Sequence, residues 1–244
     1  MYRYFFHTNP AHQPKQVNRL VLTVLILLVL LFTSLLAFSQ WTPILRGTDG
    51  TVRAMVVYSG KLIIGGDFAN VIDGSGTSIR VNGIAAWNGT AWSALGNGLK
   101  ISAPGGPVYA LAVFGGNLYA GGDFTVYCGN STCTSGNVIV NRVAKWDGAS
   151  WSGIGGVTKG VDAPVRALGA DATYLYIGGN NVGQTSDGAQ TVLHSIVRWD
   201  GTNWFKLGTG VNASANVDAI LSSGGVLYVG GQFADASGVA KQIQ

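Results

Sequence analysis

Apolar and polar residues alternate along most of this chain in short runs, each closed by a turn rich in Gly, Asn or Asp. Val52-Arg53-Ala54-Met55-Val56-Val57-Tyr58 is followed by Ser59-Gly60 and then by Lys61-Leu62-Ile63-Ile64-Gly65-Gly66-Asp67-Phe68. The same arrangement returns from Val108, Val165 and Val217, with successive Gly-Gly pairs 56, 57 and 52 residues apart. A second pattern lies between these segments. Val81 to Gly96 carries Trp87-Asn88-Gly89-Thr90-Ala91-Trp92, and it returns as Val140 to Gly155 and Leu193 to Gly208, at intervals of 59 and 53 residues. Each repeat therefore reads as four short strands, a to d. Strand a begins at the Val, strand b ends at Gly-Gly, strand c ends at the first Trp, and strand d begins at the second. Period-two alternation and Gly-rich turns predict strands. Asn-Gly between the tryptophans predicts a type I′ hairpin, in which both central residues have positive φ.

Repetition at this period decides the architecture before any local reading does. A four-stranded antiparallel meander of about fifty residues is the pattern of a β-propeller blade. The class is all-β, with blades at about 52–96, 108–155 and 165–208 and a partial one at 217–244. One meander buries too little by itself and must stack on its neighbours. Gly-Gly pairs let a neighbouring backbone or ring approach closely. They have no phosphate-loop context, because no helix or Gly-Lys-Ser/Thr follows. The tryptophans recur in phase with Gly-Gly, so inter-blade packing accounts for them better than a sugar platform. Trp41 to Gly47 aligns loosely with a strand d. Ile243 aligns with Ile84, Val143 and Ile196, which places the next Trp at position 246, past Gln244. The expectation is a truncated larger propeller: three complete blades and part of a fourth.

The matching residues are Gly65-Gly66 with Trp87 and Trp92, Gly121-Gly122 with Trp146 and Trp151, and Gly178-Gly179 with Trp199 and Trp204. In these the chain resembles the kelch and galactose-oxidase class of propellers over nearly all of 41–244. The Ile-Ala-x-Trp-Asn/Asp-Gly-x-x-Trp form is similar to repeats of exported bacterial surface proteins and of fungal cell-wall-associated membrane proteins. Trp replaces the Tyr usual in strand c. The resemblance implies a fold, not a chemistry. A copper site of the galactose-oxidase kind would need a Tyr–Cys cofactor and two His ligands, and after residue 40 the chain has only His194 and two closely spaced Cys. No cofactor or metal is expected.

Residues 1–19 are polar with Arg3, Lys15 and Arg19, and Leu20 to Phe32 is apolar apart from Thr23. Ala37-Phe38-Ser39 has the small-x-small form that signal peptidase reads. Residues 1–39 are therefore expected to be a signal peptide and the chain to be secreted or held at the cell surface. The competing reading is an uncleaved anchor, the one route by which a membrane would be a partner. The sequence pI near 9.1 comes from this segment. Without it, 12 basic residues face 11 Asp, and there is no Glu. Lacking a basic stripe, the chain is not expected to bind nucleic acid.

In a meander the a–b and c–d turns share one face. The longer segments share the other: 69–80, 125–139 and 180–192 between b and c, and 97–107, 156–164 and 209–216 between d and a. Variable loops on a rigid scaffold carry recognition. Asp73, Arg80, Lys100, Tyr127 and Asp187 are the candidate binding residues there, with plain solvated loops as the alternative. Cys128 and Cys133 are expected to form a disulfide within one loop. The acid or amide after Gly-Gly (Asp67, Asp123, Asn180, Gln232) suggests bonding to backbone, and His194 reads as a polar end of strand c. No carboxylate pair or nucleophile with a base emerges. The expected function is a non-enzymatic module for binding, adhesion or scaffolding, with an unidentified protein or glycan as ligand. The alternative is part of a secreted carbohydrate-active enzyme.

Overall fold

β-branched and aromatic runs broken by glycine turns make strands, and strands and turns are all that the described residues form. The structure is a computed structural model that describes residues 47–100, 106–156, 159–183, 185, 194–211, 215–234 and 242–243. The chain separates into Met1–Pro43 and Ile44–Gln244. The expected signal segment, the Trp41 strand and Asp187 lie outside the described residues.

The first repeat contains β1 (Gly47–Thr48), β2 (Thr51–Tyr58), β3 (Lys61–Asp67), β4 (Asn70–Ile72), β5 (Ser78–Arg80), β6 (Ile84–Trp87) and β7 (Trp92–Ala94). The second contains β8 (Leu99–Lys100), β9 (Val108–Phe114), β10 (Asn117–Gly122), β11 (Val126–Tyr127), β12 (Val138–Ile139), β13 (Val143–Trp146) and β14 (Trp151–Gly153). The third contains β15 (Val165–Ala170), β16 (Leu175–Gly179), β17 (Ile196–Trp199) and β18 (Trp204–Lys206). The last contains β19 (Asn216–Ser223), β20 (Val226–Gln232) and β21 (Gln242–Ile243).

Three sheets are four-stranded antiparallel meanders in the order a-b-c-d: β2-β3-β6-β7, β9-β10-β13-β14 and β15-β16-β17-β18. The last is β19-β20-β21. There Gly230 pairs with Ile243 as Gly65 pairs with Ile84, but β21 runs parallel to β20. All-β architecture in serial four-stranded antiparallel sheets is as the sequence predicts.

The hairpin chemistry differs from expectation. Type I′ geometry sits in the a–b turns, where both central residues have positive φ: Ser59 and Gly60 at 48° and 73°, Gly115 and Gly116 at 54° and 74°, Gly224 and Gly225 at 58° and 76°. In the c–d turns only the glycine is left-handed, at 100° for Gly89. Trp87 pairs directly with Trp92, so the loop is longer than a type I′ turn. An Asx bond closes it: Asn88 Oδ1 accepts from the N–H of Thr90 and Ala91, at 2.9 and 2.8 Å. Asp147 and Asp200 do the same in the next repeats, which holds their carboxyls below the usual range.

The core lies between sheets. Trp146 and Trp151 join Ile63, Ile84 and Leu95 of the first repeat in one buried cluster. Trp199 and Trp204 join Phe114 and Tyr119 of the second in another. A β-carbon built on Gly65 would lie 2.6 Å from Val108 Cγ1, so the first glycine of the pair admits the next sheet's inner strand. The second glycine lies against the backbone carbonyl of Thr51, Pro107, Pro164 or Asn216. The a–b register slips at that point in all the repeats, leaving Arg53, Tyr109, Arg166 and Asp218 as the extra residues of a β-bulge.

Candidate binding surface

The loop face is more ordered than a set of solvated connections. The b–c segment folds back as a hairpin and pairs with the connector that enters its own repeat. This makes sheets β1-β4-β5 and β8-β11-β12. In the third repeat Val161 bridges Thr185 in the corresponding place. Val71, Val81, Leu99, Val126, Val140, Val161 and Val182 are buried beneath these minor sheets. The solvated-loop alternative is therefore corrected for these segments, because their apolar residues have a core of their own.

The residue before strand c is left-handed in each complete repeat: Asn82, Asn141 and His194, with φ of 47°, 42° and 48°. Each points a nitrogen at a carbonyl in the next connector. Asn82 Nδ2 donates to Asn97 O at 2.7 Å and to Ser131 O at 2.9 Å. Asn141 Nδ2 donates to Lys159 O, and His194 Nδ1 meets Thr209 O, both at 2.7 Å. His194 thus does the asparagine's work of tying loop to connector. Sequence reasoning placed it correctly at the end of strand c and missed the bond. The signal was there in a polar residue recurring at one repeat position.

Arg80 at the end of β5 and Lys100 at the end of β8 come together. Both line a cavity of about 310 Å³, with Asp49, Asp67, Phe68 and Asn82. Arg80 Nε donates to Asn82 Oδ1 at 2.8 Å, which fixes the guanidinium. Asp49 accepts from the N–H of Ala69 and Asn70, both at 2.9 Å, and from Asn70 Nδ2 at 2.6 Å. Its partial burial pulls the carboxyl up, but these bonds together outweigh that and hold it below its ordinary value. It stays an anion bound to its own backbone, unsuited to donating a proton.

The other candidates stand apart. Asp73 is engaged within its own hairpin, accepting from Ser75 Oγ at 2.6 Å and Thr77 N at 2.8 Å, and is held low by those bonds. Tyr127 on β11 pairs with Leu99 and packs on the cluster between the first two repeats. Cys128 and Cys133 form a disulfide with Cα atoms 4.6 Å apart, compatible with an oxidising, extracellular setting. The expectation of backbone bonding after Gly-Gly is corrected in two repeats. Asp123 faces Arg142 at 3.7 Å, and Gln232 Oε1 accepts from Asn216 Nδ2 at 3.2 Å. Among the described residues no group of His, Cys and Asp has the size of a metal site, and no helix is long and apolar enough to cross a membrane.

The bulge residues form a ladder along the inner strands. Arg53 and Arg166 each lie 5.4 Å from the ring centroid of Tyr109, one from either neighbouring sheet. Arg166 Nε lies 3.9 Å from Asp218 Oδ1. Nothing in the local sequence marks these residues. Only the shared bulge position aligns them.

No protein-family model matches the chain, and no curated protein matches it. Among solved structures it is similar to the computationally designed Ika4 protein, at 14% identity and a TM-score of 0.40, over 79% of this chain and 93% of that one.

Proposed function

We propose that this chain is a β-propeller of the exported, non-enzymatic kind, whose loop face binds a saccharide. The observation that carries the reading is the meeting of Arg80 and Lys100, from different loop segments, at one cavity. Its lining mixes donors (Arg80, Lys100), an acceptor (Asp67) and an aromatic edge (Phe68). Sugar hydroxyls need such a mixture, whereas a purely anionic ligand would be opposed by Asp49 and Asp67. The volume is at the lower end of small-ligand sites, roughly 300–1,000 Å³. Serial packing through Gly-Gly and the inner strands supports the propeller reading. Kelch-like kinship stays part of the proposal, resting on the repeat motif. The disulfide and the signal-like leader support export.

The test is glycan-array binding followed by calorimetry on the hits. The reading expects at least one saccharide to bind, and Arg80→Ala with Lys100→Ala to weaken it tenfold or more. Binding that ignores both substitutions, or no saccharide binding with capture of an acidic protein instead, would overturn it. Turnover of a bound glycan would favour the enzyme alternative, with Asp67 as the carboxylate to replace first.

A further inference from the structure

The chain carries both halves of its own inter-sheet joint, unused, at opposite ends. In the internal joints the Val that opens strand a sits on the first glycine of the preceding Gly-Gly pair. The Cβ atoms of Val108, Val165 and Val217 lie 3.1, 3.2 and 2.9 Å from a β-carbon built on Gly65, Gly121 and Gly178. Leu111, Leu168 and Ile220 follow against the same glycines. The first repeat places Val52 and Met55 at these positions, with Val57 beyond, and they are 38%, 67% and 68% exposed. At the other end Gly230 is only half-buried, where Gly65, Gly121 and Gly178 are buried. Tyr228 is half-buried where Tyr119 and Tyr176 are buried. Leu221, which matches Ala112, is 60% exposed. The inner-strand knobs of the first repeat and the glycine socket of the last therefore do not cover each other within one chain.

The charges agree with the shapes. The inner ladder runs Arg53, Tyr109, Arg166, Asp218, and Asp218 already meets an arginine from one side. Its outer side would face position 53 of a following repeat, and that residue is again an arginine. The ladder thus begins with a cation and ends with an anion.

We propose that a second copy of this chain occupies these faces, head to tail, with Val52, Met55 and Arg53 of one copy against Gly230, Leu221 and Asp218 of the other. Making the joint twice closes two copies on a two-fold axis. A joint that failed to close would grow into a filament. Two copies supply eight repeats, within the four-to-eight range of closed propellers.

The test mixes a Val52→Cys chain with a Gly230→Cys chain under mild oxidation. Internal equivalents place these β-carbons within disulfide reach, about 3.5–4.5 Å after small adjustment. A disulfide-linked pair should form from the mixture and from neither variant alone. Light scattering should give the unmodified chain twice its single-chain mass. Met55→Glu or Leu221→Glu, both at exposed positions, should each abolish the pair while keeping the Cys128–Cys133 disulfide and the β-sheet circular dichroism. A single-chain mass with no mixed disulfide overturns the proposal. So does a monomer with both cysteines that closes its own bond, since the chain's two ends would then meet each other.

Discussion

Trp92, Trp151 and Trp204 open strand d in their repeats and are almost equally buried, at 6%, 4% and 5% exposed. They differ in one bond. Trp151 Nε1 donates to Leu95 O of the preceding repeat at 2.9 Å. Trp92 and Trp204 have no acceptor for the indole N–H. The neighbouring backbone supplies the reason. Leu95 O takes only a long bond from Gly98 N, 3.3 Å, so it has room for the indole. Its counterpart Ile154 O is occupied by Gly160 N at 2.8 Å. Replacing each tryptophan by phenylalanine removes similar packing, costing roughly 1–2 kcal/mol. At 151 the lost hydrogen bond adds about 0.5–1.5 kcal/mol, toward the lower part of the unsatisfied-group range because Gly98 still caps the carbonyl. At 92 and 204 the change relieves a buried, unpaired donor, which offsets some of the packing loss. Trp151→Phe should therefore be the most destabilising of the three by about 1–2 kcal/mol in urea unfolding at constant m. Equal losses, or a larger loss at 204, would refute the assignment of this inter-repeat bond.

Gly121→Ala should destabilise by about 1–3 kcal/mol, because the added methyl meets Val165 Cγ1 and the sheets must part; thermal melting reads it. Cys128→Ser with Cys133→Ser should cost about 2 kcal/mol by the loop-entropy relation for so short a ring, with alkylation mass spectrometry checking the oxidised parent. Tyr176 is pushed up to about 12, first by burial and then by its bond to Asp171 Oδ2 at 2.7 Å. A raised folded pKa gives stability that is whole below the ordinary tyrosine value near 10 and lost as pH climbs toward 12. Alkaline unfolding followed by tyrosinate absorbance should show this loss, and Asp171→Asn should shrink it. Asn141→Ala should loosen the second connector, seen as faster hydrogen exchange at Val161 N–H, whose acceptor is Asn141 O.

Much of the main framework was legible because each repeat states it again. Val, Gly-Gly and paired Trp recur in phase, and each marks a place where sheets must touch. The c–d turn misled because Asn-Gly suits two different loops. Trp87 and Trp92 pair directly, and Asn88 then serves as an Asx cap while Gly89 alone turns left-handed. The minor sheets were hidden by brevity. Val71, Leu99 and Val126 are isolated apolar residues in polar surroundings, and pairing β8 with β11 spans two longer strands of sequence. Of the binding candidates, Arg80 and Lys100 were found from their loop positions. Asp49 and Phe68 were missed, because their places depend on the fold of the hairpin between them.

The minor sheets also say where a repeat begins. β1 belongs with β4 and β5, β8 with β11 and β12, and Val161 with Thr185. A gene segment cut at the start of strand a would leave its loop hairpin without the strand that closes it. A cut ahead of the connector would carry the closing strand along. The heritable module is therefore connector plus meander, and a working repeat should be transplanted or duplicated from about residue 97 to 155, not from 108.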